Sequence, residues 1–110
     1  YWVYANSEIH ERLGFFFPNF IKRRIELGIK TRVIVQHSKT TDIHKKTAKK
    51  ENREIRFTDI KFESDVFIYG NKVAFINLTD ENIIGILIEN REVANTQRQV
   101  FNSLWKIAKP

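Results

Sequence analysis

The stretch DVFIYGNKVAFINL, residues 65–78, decides the fold of this chain. It contains two runs rich in β-branched and aromatic residues, 65–69 and 73–78, separated by the pair Gly70-Asn71. This pattern predicts a β-hairpin with a two-residue turn. Both runs carry apolar residues on both faces, which is typical of strands inside a sheet, so we expect the hairpin to be central.

A further strand and a long helix follow the hairpin. Residues 83–88 are aliphatic apart from one glycine and predict a strand. From about Arg91 the apolar residues recur at helical spacing and share one stripe: Val93, Ala94, Val100, Phe101, Leu104, Trp105 and Ala108. We expect Phe101 and Trp105 to belong to the core first and to a dimer face second.

The residues before the hairpin predict a parallel beginning to the sheet. Strands are indicated at 2–5 and 31–36, and an apolar stripe at helical spacing covers 9–25 between them. Strand, helix and strand at this spacing predict a βαβ unit, in which the two strands are parallel and the crossover is right-handed. Gly28 stands where a left-handed residue commonly ends a helix.

The whole chain is expected to form one α/β domain over residues 1–110. A short helix at 42–51 and a brief strand at 54–57 complete the predicted elements. The fold class is therefore α/β, with a mixed sheet that has a parallel βαβ start and an antiparallel hairpin, flanked by helices. A chain of 110 residues is long enough for one domain and no more.

Composition narrows the class of protein. The chain has no cysteine, which excludes a disulfide scaffold, a cysteine zinc site and a thiol nucleophile. Its apolar runs are shorter than the roughly 18 residues that span a bilayer, and no secretory signal is recognisable. We expect a cytoplasmic protein without membrane contact. Because it contains no methionine, we interpret the chain as a piece of a longer protein.

Residues 37–56 are strongly basic. They hold seven Lys or Arg against three Asp or Glu, in a chain whose formal charge is +6. Four lysines, Lys45, Lys46, Lys49 and Lys50, are placed to follow a nucleic-acid backbone. The alternative is an ordinary solvated helix, which the lack of interleaved aromatic residues favours over a single-strand binding site.

The residue patterns assign no catalytic or metal-binding group, and we expect no enzyme and no cofactor. The histidines His10, His37 and His44 show no metal-ligand spacing, and no phosphate-binding glycine loop is present. His37 is the best placed of the three, because it follows a strand at the end where open α/β sheets bind ligands. Gln97 lies on the inward stripe of the last helix, so its amide either bonds a strand backbone or lines a polar pocket.

Several stretches resemble one known family. The runs FIYGNKVAFINL (67–78) and VANTQRQVFNSLW (93–105) resemble the C-terminal domain of TrmB-type archaeal and bacterial transcriptional regulators, and WVYANSE, FFPNFIKRRIELGIKTRVIV and REIRF are similar as well. The resemblance implies a domain that senses an effector, forms a homodimer, or does both. It also implies a winged-helix domain on the N-terminal side that binds DNA, and a sugar-like small molecule as effector.

A sugar pocket needs aromatic faces surrounded by amides and carboxylates. Besides His37, the candidate ligand-binding residues are Asn6, Glu8, Asn77, Asn90 and Gln97.

The TrmB-type domain in turn resembles half of a phospholipase D-like fold, which suggests an alternative as a phosphodiesterase or nuclease relic. Those enzymes carry a His-x-Lys-x4-Asp motif. The equivalent positions here are Glu63, Asp65 and Gly70, and a carboxylate in place of the lysine repels a phosphate. The resemblance therefore transfers the fold and no catalytic residue.

Overall fold

A six-stranded mixed sheet forms the centre of the molecule in the computed structural model, which describes residues 1–5, 22–23, 25–78 and 82–110. The strands follow the spatial order β3-β2-β1-β4-β5-β6. The elements are β1 (Trp2–Ala5), β2 (Thr31–Gln36), α1 (Lys39–Thr47), a 3-10 turn (Lys49–Glu51), β3 (Arg53–Thr58), β4 (Asp65–Tyr69), β5 (Lys72–Leu78), β6 (Ile83–Glu89) and α2 (Arg91–Ile107).

The sheet has a parallel half and an antiparallel half. β1 pairs with β2 in parallel, and β2 pairs with β3 in the same way. The other side of β1 pairs antiparallel with β4, and β4, β5 and β6 form an antiparallel meander. The predicted parallel start, central hairpin and mixed sheet are confirmed, and the parallel half gains β3 as a third strand.

One face of the sheet is covered by α2. Ile34, Val66, Ile68 and Val73 come from three strands, β2, β4 and β5, and pack beneath Phe101. The Phe101 ring is fully buried and stacks on Trp2, with 4.9 Å between ring centroids. Most of the stripe predicted for the last helix is the face that α2 buries, through Ala94, Phe101 and Trp105. Val100 was placed on that stripe as well and is 42% exposed.

The opposite face carries a second, smaller core. Val3, Ala5, Val35 and Ile55 are buried there together with Ala48, which follows α1. Successive residues of a strand alternate between faces, so β1 contributes Trp2 and Tyr4 to one core and Val3 and Ala5 to the other. A four-residue strand thus joins both layers.

The two edges of the sheet differ in how far their outer backbone groups are hydrogen-bonded. At the β3 edge, the backbone of Phe57 exchanges hydrogen bonds with Lys109, and the Lys45 ammonium donates to the Ile55 carbonyl at 2.6 Å. The amide of Arg53 donates to the Ala48 carbonyl. At the opposite edge, no described strand pairs with the outer side of β6.

Several element boundaries differ from those predicted. The helix expected over 42–51 begins earlier, as α1, and its second part is the 3-10 turn. The brief strand expected at 54–57 extends over Arg53–Thr58. Most of the helix expected over 9–25 lies outside the described residues, whereas its predicted glycine stop is confirmed, since Gly28 has a φ of +69°.

None of the helices in the described ranges has the length and apolarity needed to cross a membrane.

Gly70 and Gly85 form a matched pair for testing the hairpin turn. Gly70 has a φ of +56°, whereas Gly85 lies within β6, and a Cβ at either position meets nothing within 4 Å. Gly70→Ala should therefore lower the free energy of unfolding by about 1–2 kcal/mol through backbone strain alone. Gly85→Ala should leave it unchanged or raise it by about 0.4–1 kcal/mol. Urea denaturation of both variants at low protein concentration measures the difference, and equal effects would contradict this account of the turn.

Candidate functional site

The outer edge of β6 is the largest run of exposed aliphatic side chains within one described strand. Ile84 and Ile86 are each 55% exposed and Leu87 is 58% exposed. The strand sequence IIGILIE carries one charge, at its last residue. Edge strands usually discourage pairing with charges, prolines or bulges, so an apolar edge that no described element covers indicates an association surface.

The path of α2 explains why this edge is uncovered. Ile86 faces Phe75 across the β5–β6 pair and so lies on the face that α2 covers, while Leu87 faces Ala74 on the other face. The helix starts next to β6, and its last turn places Trp105 near β2 and β3. It therefore crosses the sheet away from β6 and leaves the outer strand exposed on both faces.

Two arginines fix the far end of α2. The guanidinium carbons of Arg56 and Arg32 lie 4.4 Å and 5.4 Å from the centre of the Trp105 ring. Arg56 also donates from Nη1 to the Trp105 carbonyl at 2.8 Å. Trp105 is 7% exposed and Phe101 is fully buried, so both residues belong to the core of this chain.

Gln97 bonds to a side chain, whereas the sequence suggested either a strand backbone or a polar pocket as its surroundings. Its side-chain carbonyl oxygen accepts a hydrogen bond of 2.8 Å from the hydroxyl of Tyr4 on β1. Burial of this hydroxyl raises the pKa of Tyr4 above its ordinary value. This hydrogen bond connects the middle of α2 to β1, so both side chains have a structural role.

Asn90 and Asn77 are not brought together with Gln97 in a pocket. Asn90 is the N-cap of α2, and its side-chain oxygen accepts from the amide of Val93 at 2.9 Å. Asn77 lies half-buried on β5, opposite Ile84 of β6. The predicted ligand residues Asn6 and Glu8 lie outside the described residues.

His37 lines a cavity at the end of β2. Its Nε2 atom lies 2.6 Å from a carboxylate oxygen of Asp42, and its ring packs edge-on against Phe57. The cavity has a volume of about 460 Å³ and is lined also by Thr58, Asp59, Ile60, Ile107, Lys109 and Pro110. Of the four predicted ligand residues that the structure describes, only His37 contributes to this cavity.

A second cavity of about 460 Å³ lies at the β3 edge and is strongly basic. Its lining includes one carboxylate, Glu54, and five cations: Lys30, Lys45, Lys49, Arg53 and Arg56. Two of the four lysines predicted as nucleic-acid contacts, Lys45 and Lys49, therefore line it. The other two, Lys46 and Lys50, are exposed and do not.

Arg53 and Thr31 are the buried polar residues in the lining of this basic cavity. The sequence predicted Arg53 only as one of the basic residues of 37–56 that could follow a nucleic-acid backbone, and Thr31 only as the start of a strand. The side chain of Arg53 is 5% exposed, and its Nη2 atom lies 2.8 Å from a carboxylate oxygen of Glu51. Burial lowers the pKa of the Arg53 guanidinium, and the Glu51 charge opposes that shift. The burial of Arg53 could have been predicted from the sequence, because side chains alternate along β3 and Arg53 therefore shares a face with the apolar residue Ile55.

Comparisons with known proteins add no assignment to these sites. No family model, no curated protein and no solved structure matches the chain.

The Tyr4–Gln97 hydrogen bond predicts an alkaline loss of stability. Below about pH 10, the ordinary pKa of tyrosine, both folded and unfolded chains keep the phenol proton. Above it, the unfolded chain releases the proton while folded Tyr4, whose pKa is raised, retains it. Unfolding therefore becomes easier as the pH rises toward the folded pKa.

Tyr4→Phe should flatten this alkaline decline and cost about 0.5–1.5 kcal/mol at neutral pH, where the hydrogen bond is lost. Tyr69→Phe is the matched control, since Tyr69 is exposed and faces the other side of the sheet. Thermal unfolding monitored from pH 7 to pH 11 gives both slopes. If Tyr69→Phe flattened the decline as much as Tyr4→Phe, the assignment to Tyr4 would be wrong.

Proposed function

We propose that this chain is the effector-sensing and dimerisation domain of a TrmB-like, cytoplasmic transcriptional regulator, with its sheet as one half of a phospholipase D-like fold. The observation that carries this proposal is the apolar outer edge of β6, where Ile84, Ile86 and Leu87 are all more than half exposed. The proposal further rests on the family resemblance of the hairpin and of α2.

A second copy of the chain is the partner that this edge suits. Antiparallel pairing of β6 with its own copy around a two-fold axis satisfies the outer backbone groups of both strands at once. It also places the same aliphatic side chains of both copies against each other on both faces of the sheet. Burying a fully exposed isoleucine or leucine side chain contributes about 1.5–3 kcal/mol. Ile84, Ile86 and Leu87 are each just over half exposed, so each contributes about half of that amount, and the same residues of both copies add together.

The regulatory mechanism that follows is a shift between dimer arrangements. In this proposal DNA is bound by N-terminal winged-helix domains, and the dimer sets the distance between two such domains. A small-molecule effector that binds one arrangement more tightly than the other changes their relative populations, and only this difference in affinity has any effect. The chain itself performs no catalysis in this scheme.

Sedimentation of a charged β6 variant tests the proposal. Ile86→Lys places an ammonium group in the middle of the edge and should weaken self-association at least tenfold, which corresponds to about 1.4 kcal/mol. Ile43→Lys is the matched control, because Ile43 is 63% exposed on α1, beyond the other half of the sheet. It adds the same charge and should leave the dimer intact.

Analytical ultracentrifugation over a wide concentration range gives the dissociation constants. A wild-type chain that stays monomeric at high concentration, both alone and joined to a winged-helix domain, would overturn the proposal. Equal weakening by both substitutions would instead show that net charge, and not the β6 edge, controls association.

A further inference from the structure

Five exposed lysines form one positively charged region at the β3 edge, which we call the basic surface. It is built from α1, the 3-10 turn and the segment before β2, and it consists of Lys30, Lys45, Lys46, Lys49 and Lys50. Three of them, Lys30, Lys45 and Lys49, line one common cavity, so cations from three separate segments converge there.

A folded backbone presents these lysines. Ala48 stands between the two lysine pairs of this segment and is 5% exposed in the smaller core. Its carbonyl accepts from the amides of Glu51 and Arg53, and the amide of Thr31 donates to the Asn52 carbonyl. The lysines therefore extend from a backbone that is already ordered, and a partner that binds them does not have to order it.

The acidic residues of the same segment do not neutralise the basic surface. The carboxylate of Asp42 lies 2.6 Å from His37, and that of Glu51 lies 2.8 Å from the buried Arg53 guanidinium. Glu54 is the single carboxylate in the lining of the cavity. None of the five lysines forms an ion pair with a residue of the described ranges. Five positive charges thus face one negative charge, which excludes the self-neutralised helix that the sequence left open.

We propose that the basic surface binds the sugar-phosphate backbone of duplex DNA. A row of exposed cations from several segments is complementary to the row of phosphates along a duplex, and such contacts release the counterions that surround DNA. This inference goes beyond the proposed function, in which the winged-helix domains bind DNA, and the choice of DNA rests on that function. The contact itself does not need the proposed dimer, because β3 and β6 form opposite edges of the sheet.

The surroundings of the lysines favour a duplex over other polyanions. Binding of single strands relies on aromatic side chains that stack on bases, and the exposed large aromatic residue of the described ranges is Tyr69, on β4. A helix that lies on an anionic membrane needs a broad apolar face, whereas α1 contains one large aliphatic residue, Ile43.

The dependence of affinity on salt is the first test. Each lysine that neutralises a phosphate contributes about −0.9 to the slope of log K against log salt, so five contacts give a slope of about −4. Raising the salt fourfold should therefore lower the affinity roughly 250-fold. Fluorescence anisotropy with labelled duplexes of two unrelated sequences measures both slopes, which should be equal because phosphate contacts carry no sequence information.

Two double variants with identical charge change separate the basic surface from the net charge of the chain. Lys46→Gln with Lys50→Gln removes two lysines of the basic surface that make no hydrogen bond to a described residue through their side chains. Lys61→Gln with Lys106→Gln is the matched control. Lys61 follows the other end of β3, about 20 Å along the strand, and Lys106 lies on α2 at the opposite face of the sheet.

The first double variant should bind the duplex about tenfold more weakly at 0.1 M salt and reduce the slope by about two. The control should stay within about twofold of wild type, because charges more than about 10 Å from the phosphates are screened at this salt concentration. Circular dichroism confirms that the variants are folded. Sedimentation should give unchanged self-association for both, so a failure here is distinguishable from a failure of the proposed dimer.

Loss of duplex binding in the first variant alone supports the proposal. Wild-type binding weaker than about 1 mM even at low salt would overturn it, since non-specific DNA binding is ordinarily tighter than this. Equal losses in both double variants, a strong preference for one duplex sequence, or tighter binding to phosphatidylserine vesicles than to the duplex would overturn it as well.

Discussion

The double pairing of β1 holds this domain together. This strand hydrogen-bonds in parallel to β2 on one side and antiparallel to β4 on the other, so the two halves of the sheet meet along four residues. Its alternating side chains also supply both cores, with Trp2 and Tyr4 beneath α2 and with Val3 and Ala5 on the opposite face. Any change that shifts its register by one residue would turn both sets of side chains to the wrong core.

Local sequence patterns were enough to predict most of the elements and the general form of the sheet. The hairpin at 65–78 was predictable because a turn-forming Gly-Asn pair separates two strands with apolar residues on both faces, and it is central as expected. The inward stripe of α2 was predictable from its period, and Phe101 is fully buried. These features depend on interactions between residues that are near each other in the chain.

The contacts that depend on distant residues were not predictable. Gln97 was recognised as an inward amide, but its partner Tyr4 is 93 positions away and could not be chosen from sequence. The pairing of Phe57 with Lys109 closes the β3 edge through a similarly remote contact. Asn90 is a different case, because an asparagine just before a helix is a recognisable cap. The sequence around Asn90 has the pattern of a helix cap, and the ligand-pocket role predicted for Asn90 did not take that pattern into account.

The positions of the two tryptophans have a consequence for experiments on folding. Trp2 and Trp105 are the only tryptophans in the sequence, and both rings stack on Phe101, with 4.9 Å and 5.6 Å between centroids. Intrinsic fluorescence therefore reports on one cluster, the contact of α2 with the sheet, and is insensitive to the smaller core behind it. Far-ultraviolet circular dichroism reports on the backbone as a whole. Coincidence of the two unfolding curves is thus a direct measure of whether the layers on either side of the sheet unfold in a single cooperative step.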